Sequence, residues 1–117
     1  MCLSGGIETL DGRKMPMAGV FPGWTRMTER YKLGYSEVTV VEGQSLFPLG
    51  EQARGQRFHC SELIDTTGLT PTYQVSDGQG GVFKEGFAVG RSLVSYIHLH
   101  WGSNPAFAAH WIQWLQS

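Results

Sequence analysis

Ser92-Leu93-Val94-Ser95-Tyr96-Ile97-His98-Leu99-His100-Trp101, followed at once by Gly102-Ser103-Asn104-Pro105, is the stretch that decides how this chain folds. Its β-branched and aromatic residues predict one long strand from Ser92 to Trp101. Asn104 is a good N-cap and Pro105 suits the first helical position. Phe107, Trp111, Trp114 and Leu115 then recur at helical spacing, so an amphipathic helix is expected at the C-terminal end.

Upstream, Tyr35-Ser36-Glu37-Val38-Thr39-Val40-Val41 carries partial period-two alternation and reads as a strand, and Gln56 to Leu63 reads as a second. Tyr73-Gln74-Val75 and Val82-Phe83 flank Ser76-Asp77-Gly78-Gln79-Gly80-Gly81, a hairpin signal with glycines available for positive φ. Met17-Ala18-Gly19-Val20-Phe21, ending on Pro22-Gly23, predicts a short buried strand, followed by a polar bend. The first residues offer at most a frayed helix before the turn Asp11-Gly12-Arg13, because each of Gly5 and Gly6 costs about 1 kcal/mol against alanine in a helix. Strands outnumber helices and their connections are short, which favours antiparallel pairing. The expected fold is a β-rich α+β unit: a mostly antiparallel sheet with a C-terminal helix.

A length of 117 residues suits one domain, residues 1–117. With 41% hydrophobic and 16% charged residues, the chain can offset its conformational entropy and fold. Nine Lys+Arg against ten Asp+Glu leave a charge of −1, so no long-range field collects phosphates, and nucleic acid is not an expected partner. There is no apolar run of the ~18 residues that span a bilayer and no signal-peptide pattern, so no membrane association and a cytoplasmic location are expected. Cys2 and Cys60 form no CxxC pair and read as reduced thiols.

His98 and His100 lie two apart on the expected strand, so both imidazoles project from one face, a few residues before a helix N-terminus. A two-histidine metal grip completed by His59 or Cys60 is one reading, although no ligand has a diagnostic spacing and no metal site is expected. A histidine that satisfies a backbone carbonyl in the core is the plainer alternative.

Ser95-Tyr96-Ile97-His98-Leu99-His100-Trp101-Gly102-Ser103-Asn104-Pro105 closely resembles the terminal signature of the glutamine amidotransferase domain of cobyrinate a,c-diamide synthases, amidating enzymes of the cobalamin pathway. Two further segments agree in order. Arg54-Gly55-Gln56-Arg57-Phe58-His59-Cys60-Ser61 resembles that family's second motif, and Leu10-Asp11-Gly12-Arg13 through Pro16-Met17 and Pro22-Gly23 resembles the segment after its nucleophile. The resemblance covers essentially the whole chain. It implies the C-terminal half of a class I, triad-type glutaminase with an α/β fold, coupled to an ATP- and magnesium-using synthetase domain. There a cysteine thiolate attacks the glutamine carboxamide and a histidine manages the protons, so that ammonia is delivered to a corrinoid carboxylate. The resemblance matches His98 to the catalytic histidine, with His59, His100 and Arg54 as supporting candidates; packing or hydrogen bonding is the plainer role for His59.

The departures from the family pattern are as informative. The family's nucleophile precedes two glycines on a strand-to-helix elbow, and it would fall just before Met1. Cys2 is followed by Leu3-Ser4 and is expected to point into packing. Arg57 stands where the second motif has a glutamate, and His100 stands where many such enzymes carry an acid. A histidine without an orienting carboxylate is a poorer base. No G-x-x-x-x-G-K-[ST] loop is present, so ATP and magnesium belong to a domain outside this chain and no cofactor is expected within it. The isolated chain is therefore expected not to hydrolyse glutamine. Expected partners are a second copy of the chain or an N-terminal synthetase portion. Glutamine or another small molecule is expected near His98, His59 and Trp101. The alternative is a stand-alone oligomeric module for small-molecule binding or interaction.

Overall fold

A computed structural model of the chain describes residues 1–42 and 46–117. Its first two strands, β1 (Gly6–Glu8) and β2 (Lys14–Pro16), form a hairpin around the Asp11-Gly12-Arg13 turn, where Gly12 takes a φ of 82°. This replaces the frayed helix expected there. The Trp24 ring lies where a side chain on Gly6 would stand, a close approach that only glycine permits. Met17–Phe21 is not a ladder strand: Met17, Ala18, Gly19 and Phe21 donate backbone hydrogen bonds to Gly5, Cys2, Ser4 and Leu3, and of these five residues only Phe21 is buried.

Strand β3 (Trp24–Val40) absorbs both the expected strand and the expected polar bend before it. β3 pairs along its length with β4 (Gln52–Asp65), and its stretch over residues 27–34 lacks alternation because there the two strands form a ribbon that buries little of either face. On its other side β3 pairs with β1, in parallel over Trp24–Arg26, and with β5 (Pro71–Ser76), antiparallel over Glu37–Val40. β5 and β6 (Val82–Val89) form the expected hairpin, with Gly78 and Gly80 at positive φ.

The long strand expected over Ser92–Trp101 is broken in two. β7 (Ser92–Val94) pairs with β6, whereas β8 (Ile97–Leu99) pairs with β4. Across the sheet the order is β7-β6-β5-β3-β4-β8, so the two pieces occupy opposite edges. Only Ser95 and Tyr96 separate them, a span of about 11 Å at full extension. The sheet therefore curls until its edges nearly meet. Period-two chemistry cannot reveal such a break, because both halves are genuine strand.

The inner surface of the curl is the core: Val38, Val40, Ala53, Tyr73, Val75 and Ile97 are buried together with Leu46, Phe47 and Phe107. A single 3₁₀ turn (Trp101–Ser103) leads to the expected helix α1 (Pro105–Gln116). Asn104 Oδ1 accepts the Ala106 amide at 3.0 Å, and the Phe107 ring lies 3.8 Å, centroid to centroid, from Phe47. Trp111 and Trp114 pack against this core, while Leu115 faces solvent. The architecture is thus a mostly antiparallel sheet with one parallel pair and one C-terminal helix, the expected α+β class. Among the described residues no helix is long and apolar enough to cross a membrane.

Candidate functional site

Register decides which side chains share a surface. Tyr35 is paired with Gln56, and Gln56 in turn with His98, so the three project from the same face of β3, β4 and β8. Glu37 is paired with Arg54 on that face, as Leu33 is with Phe58. It is the face opposite the core, and all of these side chains are exposed.

His98 thus stands on an open sheet surface. His100 extends past the end of β8 with its amide donating to the Arg54 carbonyl at 2.8 Å, and its imidazole shares the same face. An open cleft of ≈ 560 Å³ is lined by Tyr35, Arg54, Gln56, His98, His100 and Ser103. Arg54 Nε reaches Glu37 Oε2 at 3.4 Å in an exposed ion pair, worth about 0–1 kcal/mol. This holds the guanidinium at the rim without consuming its other donors. Ser103 Oγ accepts the Arg54 amide at 2.9 Å, and Asn104 Nδ2 donates to the Gln52 carbonyl at 2.7 Å, stitching the segment after His98 to β4.

Gly55 makes the close pairing of β8 geometrically feasible. A Cβ there would stand 2.4 Å from the His98 carbonyl oxygen, well inside contact distance. Because the obstructing atom belongs to the backbone, it cannot step aside cheaply.

Of the four expected site residues, the structure brings His98, His100 and Arg54 together and sets His59 apart. The His59 ring stacks on Tyr96 with centroids 4.0 Å apart, and its Nδ1 lies 2.7 Å from the Ser61 carbonyl oxygen. Burial holds this imidazole below its ordinary pKa of 6.5, and the Ser61 hydrogen bond pulls the other way. Trp101 does not line the cleft; its ring packs toward Trp111 and Phe107. Cys2 is exposed rather than packed, and no hydrogen bond joins it to His98 among the described residues.

Arg57, where a carboxylate was expected from the family pattern, turns to the inner face with its guanidinium 4.6 Å from the Phe83 ring centroid. Among the described residues no carboxylate hydrogen-bonds the His98 ring, and no group of three or more His, Cys, Asp or Glu side chains is placed to hold a metal. The sequence contains no G-x-x-x-x-G-K-[ST] loop of the kind that cradles phosphates. Sequence reasoning missed Tyr35 and Gln56 as site residues, because only cross-strand register places them beside His98.

The arrangement can accept or donate a proton at His98 toward a reacting group laid on the open face, with Arg54 available to an anionic substituent. Among the described residues no cysteine lines the cleft. The model of the CobB/CobQ-like glutamine amidotransferase domain family matches residues 1–106. A cobyrinate a,c-diamide synthase of Gloeobacter violaceus is 33% identical over 113 residues, covering 97% of this chain and 24% of that protein. One from Syntrophotalea carbinolica is 39% identical over 113 residues, covering 92% and 25%. A hydrogenobyrinate a,c-diamide synthase of Streptomyces coelicolor is 32% identical over 104 residues, covering 89% and 21%. The chain spans about a quarter of the length of these relatives.

Proposed function

The chain belongs to the CobB/CobQ-like glutamine amidotransferase family, and from that premise we propose that it supplies the histidine-bearing part of a glutaminase site. The larger activity it serves is the glutamine-dependent amidation of a corrinoid carboxylate in cobalamin biosynthesis, as the names of its relatives suggest. The observation that carries the reading is His98 on an open sheet face, with Arg54, His100 and Tyr35 around one cleft and, among the described residues, no cysteine lining it. His98 would take the thiol proton of a cysteine carried on another segment and return it to departing ammonia. ATP and magnesium act in a synthetase portion outside these residues.

The reading implies that the purified chain does not release ammonia from glutamine. A chimera in which it replaces the matching stretch of the Syntrophotalea carbinolica enzyme should release it. Ammonia release by the 117-residue chain alone contradicts the proposal.

One observation favours a second reading, that of an oligomeric interaction module. Leu33, Tyr35, Phe58 and Tyr31 are all more than half exposed, and the Tyr31 and Phe58 rings stack 5.4 Å apart on the ribbon. Neighbouring exposed apolar side chains of this kind suit an interaction surface. A second copy of the chain or the synthetase portion would cover it. Sedimentation of the pure chain separates these occupants: a concentration-dependent dimer supports self-association, and a monomer at high micromolar concentration removes it.

A further inference from the structure

We infer that Glu85 is a positioning residue for His98, its carboxylate clamping the two-residue seam at which the chain crosses from one edge of the sheet to the other. The inference rests on the glutaminase reading for its purpose but on geometry for its content.

Glu85 lies on the inner face of β6, paired across the sheet with Tyr73, and only 6% of it is exposed. A carboxylate is costly to bury unless its oxygens are hydrogen-bonded, and here both are. Oε1 accepts the Tyr96 amide at 2.7 Å, and Oε2 accepts the Ser95 hydroxyl at 2.6 Å. Ser95 Oγ in turn accepts the Ile97 amide at 2.9 Å. These are backbone groups at the gap between β7 and β8, where neither edge ladder continues. One carboxylate and one hydroxyl therefore close the seam that the strand pairing leaves open.

Ile97 is the first residue of β8, and His98 is the next. Fixing the Tyr96 and Ile97 amides fixes the direction in which β8 starts and hence the face from which the His98 imidazole projects. The clamp is braced from behind: the Tyr96 hydroxyl is 2.6 Å from Ser61 Oγ, and the Tyr96 ring stacks on His59. This also gives His59 a role as a support beneath the seam rather than as a proton carrier. No other carboxylate orients the histidine strand among the described residues, so the acid missing next to His98 is replaced by one acting on its backbone.

The test uses the whole 117-residue chain and needs no enzymatic activity, so the clamp can fail while the glutaminase reading survives, and the reverse. Glu85→Ala, Glu85→Gln and Ser95→Ala are compared by amide hydrogen exchange and by the NMR signals of the His98 ring. The His100 amide reports on the pairing of β8 with β4, and the Val40 amide, which donates to the Glu51 carbonyl, reports on the core. Glu85→Ala should speed exchange at His100 by about tenfold or more relative to Val40 and shift the His98 ring signals. Ser95→Ala should do the same to a smaller degree. Glu85→Gln keeps an acceptor for the Tyr96 amide and should restore most of the protection. Equal acceleration at His100 and Val40, or unchanged exchange at both, overturns the inference; if Glu85→Ala does not fold, Ser95→Ala carries the same comparison.

Discussion

Gly55 and Glu85 each bear on the backbone that carries His98, and each makes a distinct prediction. Gly55 admits the backbone of β8 at a distance that excludes a side chain, so Gly55→Ala should destabilise the fold by about 1–3 kcal/mol, read as a lower urea midpoint. Glu85 predicts a pH dependence. Burial raises its pKa above the ordinary 4.5, opposed by hydrogen bonds from Ser95 and Tyr96 and by the nearby positive charge of Arg57. The folded state then holds a proton that the unfolded state has released. The contribution from Glu85 is therefore fully present below about 4.5 and lost as pH rises through the higher folded value. Stability compared from pH 4 upward should fall more steeply in the native chain than in Glu85→Gln, which has no proton to lose; parallel profiles would contradict this assignment.

At the scale of elements, what the sequence conveys depends on whether one face of a segment is buried. β5, the start of β6 and α1 follow their chemistry closely, because a buried core face imposes period on strand and helix alike. Between residues 27 and 34 β3 has no buried residue to impose alternation, so that stretch reads as a polar bend while being strand. The break at Ser95-Tyr96 is invisible for another reason: it is a change of pairing partner, and partners are not written in the segment that changes them. The same limit applies to the site. Three of its members were marked by motif, whereas Tyr35 and Gln56 join it only through register. The start of the helix is local and therefore predictable, whereas its end is held by a residue far away in sequence. Asn104 caps the first turn, and Arg91 donates to the Trp114 and Ser117 carbonyls at the other end. Asn104→Ala and Arg91→Ala should each cost about 1 kcal/mol, measured by urea unfolding. Because Asn104 also ties to Gln52, its loss should loosen the segment bearing His100 as well.

The whole molecule presents two unlike surfaces: a curled interior sealed by α1, and an open face that carries His98 among exposed aromatic and aliphatic side chains. On the proposed reading, the face that leaves Leu33 at 70% and Tyr35 at 85% exposure is the one that further polypeptide covers. Phe58→Glu should weaken any self-association seen by sedimentation without lowering the urea midpoint, since the side chain makes no contribution to the core. The central claim is that His98 handles protons for glutamine hydrolysis and not for the later transfer of ammonia. The most direct test is the chimeric synthase assayed with glutamine and, separately, with ammonium as nitrogen donor, each with and without His98→Asn. The account predicts that the substitution cuts the glutamine-dependent rate by about a hundredfold or more and leaves the ammonium-dependent rate intact; equal loss with both donors, or no loss with glutamine, would contradict it.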